Sequence, residues 1–188
     1  KLFILCIKDS DSKKIILFLG LLVLLAVFVI GDTAQMSVTV LPSGGQTITV
    51  CSSGCDNVSI QDAVDASLSG TTIYVHDGVY DESINIFEKE SLSIIGTSKS
   101  EVRILSNFTR PGFWLNNSNK ISISNLTILN QYHGVYLWNS YNCSLDKIIS
   151  YNNTINGILL SGDHNNITNS NFSYNSGFDG ISIADGAS

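Results

Sequence analysis

Positive charge is scarce in this chain: ten lysines and arginines stand against sixteen aspartates and glutamates, giving a net charge of −6. Arg103 and Arg110 are the only arginines. Removing residues 1–31 would delete four lysines and two aspartates and move the balance to about −8. No basic stripe remains, which excludes nucleic acid and polyanionic polymers as partners. Metal-ligand clusters are missing too. His76, His133, His164 and Met36 do not group by spacing, so no copper site and no cofactor is expected.

What the chain does have is a beat. Asn107, Asn130, Asn152 and Asn175 recur every 22 or 23 residues, and Gly112, Gly134, Gly157 and Gly180 keep the same interval in a second phase. A period that holds in two phases marks a solenoid. Gly112-Phe-Trp-Leu-Asn, Gly134-Val-Tyr-Leu-Trp-Asn, Gly157-Ile-Leu-Leu-Ser-Gly and Gly180-Ile-Ser-Ile-Ala each read as a turn and a strand. Between them Ile121-Ser-Ile-Ser-Asn-Leu-Thr-Ile, Cys143-Ser-Leu-Asp-Lys-Ile-Ile and Ile167-Thr-Asn-Ser-Asn-Phe alternate apolar with small polar residues, as half-buried strands do. Three strands per beat leave only tight turns and no helical crossover. The expected fold is therefore all-β: a parallel β-helix of about five coils, right-handed because parallel crossovers are, with coils about 4.8 Å apart.

The expected stacking pairs Phe113, Val135, Ile158 and Ile181, then Ile121 with Cys143 and Ile167, then Leu126 with Ile148 and Phe172. The Asn phase reads as an internal side-chain ladder, against the plainer reading that Asn is a common turn residue. Ahead of the repeats, Ser59-Ile-Gln-Asp-Ala-Val-Asp-Ala-Ser-Leu68 puts Ile60, Ala63, Val64 and Leu68 on one helical face with Ser59 as N-cap. A short helix there would cover the apolar end of the solenoid. The first coil follows as Thr72-Ile-Tyr-Val75, a turn at His76-Asp-Gly78, Ser83-Ile-Asn-Ile86, Ser91-Leu-Ser-Ile-Ile95 ended by Gly96, and Val102-Arg-Ile-Leu105.

These residues carry a resemblance. Ser59-Ile-Gln-Asp-Ala-Val-Asp-Ala, Gly70-Thr-Thr-Ile-Tyr-Val, Asp77-Gly-Val-Tyr-Asp-Glu82 and Leu92-Ser-Ile-Ile-Gly96 resemble the opening of right-handed parallel β-helix proteins of the pectin-lyase-like superfamily. The chain looks most like the repeat-bearing surface proteins of archaea and bacteria grouped with NosD-like periplasmic proteins. The resemblance spans roughly residues 47–188 and is specific for fold rather than function.

Location is written at the amino terminus. Lys13 and Lys14 precede an apolar run over residues 15–30 broken only by Gly20, so residues 1–31 read as a signal peptide or, alternatively, an uncleaved membrane anchor. Residues 32–58 read as a leader strand region with a small Cys loop, and 59–188 as the capped β-helix. Cys51-Ser-Ser-Gly-Cys55 suits a disulfide, which fits export; a metal there would need two further ligands. Cys143 reads as a packed strand residue. Eight Asn-x-Ser/Thr sequons, at Asn57, Asn107, Asn116, Asn125, Asn142, Asn152, Asn166 and Asn171, suit an exported glycoprotein. Asn107 and Asn152 belong to both the sequon and ladder sets, and a buried ladder residue cannot carry a glycan.

Catalytic candidates are few. Asp163 and Asp185 lie 22 residues apart and would sit on adjacent coils, where paired carboxylates can share a proton or act on a glycosidic bond; both also adjoin glycines, as turn residues do. Tyr132, Tyr136, Trp138, Tyr141, Tyr151 and Tyr174 would form a platform for sugar rings if they faced outward. Alternation should turn some inward as stacked structural aromatics. The first expectation is thus an exported, non-catalytic module of the cell surface or periplasm, for structure, adhesion or contact with polysaccharide or other envelope components, touching membrane only through its first segment. The alternative is a polysaccharide lyase or epimerase whose catalytic coils lie beyond Ser188, where the repeat is still running.

Overall fold

The computed structural model describes backbone and side chains over residues 45–177 and 179–184, and backbone alone over three strands nearer the amino terminus. The chain divides into two units, residues 1–44 and 45–188. In the first, β1 (Leu2–Lys8), β2 (Lys14–Gly20) and β3 (Met36–Thr39) form an antiparallel sheet in the order β2-β1-β3. The signal peptide or anchor expected over 1–31 falls mostly outside the described residues. Among the described residues no helix is long and apolar enough to cross a membrane.

The second unit begins with β4 (Thr47–Val50), α1 (Ile60–Ala66), β5 (Thr72–Val75), β6 (Gly78–Asp81), β7 (Ile84–Phe87), β8 (Ser93–Gly96) and β9 (Val102–Leu105). It continues through β10 (Phe113–Asn116), β11 (Ser122–Leu129), β12 (Val135–Trp138), β13 (Ser144–Tyr151), β14 (Ile158–Leu160), β15 (Asn166–Thr168), β16 (Asn171–Ser173) and β17 (Ile181–Ile183). Its strands pair in parallel and stack into three faces. One is β7-β10-β12-β14-β17; the second is β4-β5-β8-β11-β13-β15, six strands deep. In the third, β6 pairs with β9, β9 with the latter half of β11, and that half of β11 with β13, which pairs with β16. The chain is a parallel β-solenoid of about six turns, one more than expected, because β4 joins the stack.

Alternation decides what fills it. Ile84, Phe113, Val135 and Ile158 stack in register and are fully buried, as are Ile73, Ile94 and Ile123 on the second face. Burying each such side chain stabilises the fold by about 1.5–3 kcal/mol. Two expected pairings differ. Ile167 stacks on Leu145 rather than Cys143, and Phe172 on Ser150 rather than Ile148, because the coil keeps the regular spacing of the one before it, two residues shorter than the assumed alignment needs. The expected turn at His76-Asp-Gly78 runs straight into a strand, β6, which stacks on β9. Helix α1 ends at Ala66, earlier than expected, so Leu68 lies beyond it and is exposed. Ser59 accepts from the Asp62 N–H at 3.2 Å, and one carboxylate, Glu82, accepts from the Ser59 hydroxyl and from the N–H groups of Ile60 and Gln61. Ile60, Ala63 and Val64 are buried, and the helix packs on β4, β5 and β7.

Corners explain the abundance of Asn. Of fourteen described non-glycine residues with positive φ, seven are Asn, the residue that reaches the left-handed region most easily after glycine. Asn125 (φ 60°) bends β11 and Lys147 (φ 55°) bends β13 at the same level, so one long strand serves two faces. Phe108, Asn130, Asn152 and Tyr174 form another such column. The expected four-residue ladder is corrected by this geometry: Asn107 and Asn175 fall one residue to either side of that column. Asn152 donates to Asn130 at 2.8 Å, but on the exposed side of the corner. Asn107 accepts from Thr109 at 2.6 Å instead. The interior ladder is the neighbouring column, where the Gln131 N–H donates to Asn153 Oδ1 at 3.0 Å and Asn153 Nδ2 to Asn175 Oδ1 at 2.9 Å. Gln131 and Asn153 are fully buried, so these bonds satisfy groups that water cannot reach.

The glycine beat has a steric cause. A Cβ on Gly134 would stand 2.4 Å from the Gly157 carbonyl oxygen, and one on Gly157 would stand 2.6 Å from that of Gly180. Each carbonyl instead accepts the first N–H of the strand one coil earlier, as Gly157 does from Val135 at 3.1 Å. Only a residue without a side chain lets the coils close there.

Candidate functional site

The same alternation that buries Phe113, Leu115, Val135 and Leu137 turns Trp114, Tyr136 and Trp138 outward on the β7-β10-β12 face. Phe87 on β7 joins them. Strand register places Trp114 directly beside Tyr136, and the rings lie almost parallel, 4° apart in plane with centroids 6.3 Å apart. Trp138 meets Tyr136 edge-on at 6.2 Å. Phe87, Trp114 and Trp138 are exposed to 48, 37 and 50%, so this is an outward apolar surface rather than leftover core.

The corner that leads into β12 adds depth. Tyr132 and His133 turn over the end of the strand, and Pro111 does the same at β10. With Trp114 and Tyr136 they line an open cleft of about 170 Å³. His133 packs edge-on against Tyr132 at 4.7 Å and tilts against Tyr136 at 5.6 Å. It is only 7% exposed, and its Nδ1 has no hydrogen-bond partner. Burial holds its imidazole below the ordinary histidine range, so it is neutral at pH 7, and burial likewise pushes the Tyr136 phenol up. The rim is fixed by backbone bonds: the Tyr132 N–H donates to the Arg110 carbonyl at 2.9 Å and the Gly112 N–H to that of His133 at 2.9 Å.

All six aromatics considered from the sequence lie outside the core, which corrects the expectation that some would point inward. Tyr136 and Tyr151 are half-buried, while Tyr132, Trp138, Tyr141 and Tyr174 are exposed. Only Tyr132, Tyr136 and Trp138 of the six gather on this face. Tyr141 donates its hydroxyl to Asn139 instead. Phe87, Pro111, Trp114 and His133 were missed. For Trp114 the signal was present, because it sits between the inward Phe113 and Leu115.

The expected Asp163–Asp185 pair lies partly outside the described residues. Asp163 is half-buried, with its backbone carbonyl accepting from the Asn142 N–H at 3.2 Å, and Asp185 lies outside the described residues. Cys51 and Cys55 form a disulfide with Cα atoms 5.5 Å apart. Cys143 is buried, which pushes its thiol up, and it donates to the Tyr141 carbonyl at 3.4 Å. Among the sequons, Asn107, Asn142, Asn152, Asn166 and Asn171 are exposed, and Asn57, Asn116 and Asn125 are half-buried. Asn125 Nδ2 is engaged at 2.7 Å by the Gly96 carbonyl.

Comparison with known proteins places this geometry. Residues 64–188 match the family described as periplasmic copper-binding protein (NosD). Copper would require clustered soft or imidazole donors. Among the described residues no three His, Cys, Asp or Glu side chains come together; His133 is ringed by aromatics, and His76 and His164 are exposed on separate corners. The described residues therefore do not fit a copper site. The family's periplasmic description and the Cys51–Cys55 disulfide are consistent with a location outside the cytoplasm.

No curated protein matches the chain. Among solved structures it is similar to a pectin methylesterase mutant in complex with a hexasaccharide, at 16% identity and a TM-score of 0.59, over 68% of this chain and 49% of that one. It is also similar to an alginate lyase from Paenibacillus sp. str. FPU-7, at 15% identity and a TM-score of 0.59, over 75% of this chain and 59% of that one. The chain thus spans about half to three-fifths of the length of these structures, and at such identity the likeness is one of fold. With the solenoid from residue 64 onward covered by the family match, the chain belongs to the NosD family, and its fold is a parallel β-helix.

Proposed function

We propose that this chain is a β-helix domain that works outside the cytoplasm by contacting glycan of the cell envelope, without catalysing its breakdown. The observation that carries this reading is the outward aromatic face of Phe87, Trp114, Tyr136 and Trp138 with the cleft beside it. A sugar ring has an apolar C–H face and a polar rim of hydroxyls. Flat, exposed aromatic rings offer the first a surface and leave the second in water. The rigid parallel stack holds Trp114 and Tyr136 on adjacent strands with ring centroids 6.3 Å apart, and Trp138 6.2 Å from Tyr136 along the same strand, so several rings can engage one extended polymer together. The acidic balance of the chain favours an uncharged polymer over an anionic one.

The test uses the protein's own fluorescence. Trp114 and Trp138 are its only two tryptophans, and both lie on this face, so a bound glycan must shift or quench the emission. Titration with soluble envelope polysaccharides should change the spectrum in a saturable way, with no new reducing ends or unsaturated products. An unchanged spectrum across neutral and acidic polysaccharides would remove the glycan-contact reading, and sustained turnover would replace it with an enzymatic one.

A further inference from the structure

All eight Asn-x-Ser/Thr sequons lie among the described residues, and the solenoid holds them in different ways. Asn125 Nδ2 donates to the Gly96 carbonyl at 2.7 Å, and Leu126 and Thr127 after it are buried. Asn142 and Asn152 donate theirs to Asn119 Oδ1 at 3.0 Å and Asn130 Oδ1 at 2.8 Å, and each is followed by a buried residue. The Asn116 sequon ends in the buried Ser118, and that of Asn57 ends in Ser59, the cap of α1. Asn166 and Asn171 sit within β15 and β16, paired in register with β13. Asn107-Phe108-Thr109 is the one sequon of the eight whose three residues are all exposed, which singles it out for an enzyme that must reach the amide.

The fold builds that exposure. Strand register pairs Leu105 with Leu129 and Phe113 with Val135, yet the chain takes two more residues from Leu105 to Phe113 than from Leu129 to Val135. The surplus stands off the coil as a loop over residues 106–110. Buried Gln131 closes its base: with the amide turned to satisfy both ends, its oxygen accepts from the Ser106 N–H at 3.0 Å and its nitrogen donates to the Arg110 carbonyl at 3.2 Å. At the tip the Thr109 hydroxyl donates to Asn107 Oδ1 at 2.6 Å. The carbonyl end of the amide is thus engaged by the sequon's own hydroxyl, while Nδ2 donates to no group among the described residues. Exposed loop tips of this kind are where enzymes reach a folded chain.

We propose that Asn107 is an N-glycosylation site of this protein, selected over the other seven sequons by this loop. The co-reactant is a saccharide linked through its anomeric carbon to a lipid diphosphate, presented by a membrane transferase. Asn107 Nδ2 attacks the anomeric carbon, and the new C–N bond forms as the C–O bond to the phosphate breaks. The lipid diphosphate leaves with the electron pair, and the amide nitrogen gives up one proton to a base of the transferase. The saccharide is one that the chain carries rather than one that it contacts, so the proposal is independent of the glycan-contact reading.

The experiment exports the full chain from a host that carries such a transferase and that glycosylates a co-expressed reporter sequon. Its peptides are fragmented by electron transfer, which leaves the saccharide on its residue for mass spectrometry. Asn107 should carry a saccharide and Asn125 none. Thr109→Ala should abolish the modification at Asn107, whereas Thr109→Ser, which keeps the hydroxyl, should retain it. Thr109 is exposed, so neither change should prevent folding, and thermal unfolding of each variant checks this. A bare Asn107 beside a modified reporter would overturn the proposal, whether another sequon is occupied or the chain carries no saccharide at all. Occupancy at Asn125 equal to that at Asn107 would overturn the role of the loop, because the transferase would then be acting before the coil closes over Leu126 and Thr127.

Discussion

Gly134→Ala should be among the most damaging single-methyl additions this fold can receive. The new Cβ would lie 1.9 Å from Ser150 Oγ, 2.4 Å from the Gly157 carbonyl oxygen and 3.1 Å from Asn153 Nδ2. The first and third neighbours are not free to step aside. Ser150 Oγ donates to the Gly157 carbonyl at 3.0 Å and accepts from Asn153 Nδ2 at 2.9 Å, and both residues are fully buried. Turning Ser150 away would break both bonds, at about 1 kcal/mol net each, while overpacking against the Gly157 backbone would cost about 1–3 kcal/mol more. Alanine returns roughly 0.4–1 kcal/mol by restricting the unfolded chain. The net expectation is a loss of about 3 kcal/mol in urea unfolding. Gly78→Ala is the matched control, because its nearest neighbour, the Tyr80 ring, stands at 3.3 Å and has to give by only a few tenths of an ångström. If the two variants unfold within about 0.5 kcal/mol of each other, the steric account of the glycine column is wrong.

Two further outcomes follow from the same geometry. Replacing Cys51 and Cys55 together by Ser should lower stability by about 2 kcal/mol, the chain-entropy value for so short a loop; the effect should be reproduced by adding reductant to the native chain and be absent when reductant is added to the variant. Burial depresses the His133 pKa in the folded chain below its ordinary value of 6.5, so between the two values the unfolded chain binds the extra proton. Stability should therefore fall as pH drops through 6.5 toward the lower folded value, and urea titrations of His133→Gln over the same range should lack that contribution.

How much of this was legible in the sequence follows from what each residue has to satisfy. The fold was legible because a solenoid repeats one constraint many times: the inward alternation of Phe113-Leu115, Val135-Leu137 and Ile158, and the glycine at each entry to that face, recur within a residue of the period. Asn175 belongs to the interior ladder as expected, but the ladder was misassigned by one residue at Asn130 and Asn152, because side by side in the corner stand two Asn-bearing columns with different duties. Asn130 and Asn152 take the left-handed backbone and face water, whereas Asn153 and Asn175, one position later, close the interior bonds. Sequence spacing cannot separate neighbours that share a beat. Hydrogen-bond direction does. The aromatic face was half legible, since Tyr136 and Trp138 must point outward if Val135 and Leu137 point in. The cleft was not, because Pro111 and His133 reach it from corners of adjacent coils, and nothing in their own neighbourhoods announces the meeting. A solenoid broadcasts its core through repetition, whereas its binding chemistry depends on the residues that break the repeat, of which His133 between Tyr132 and Gly134 is one.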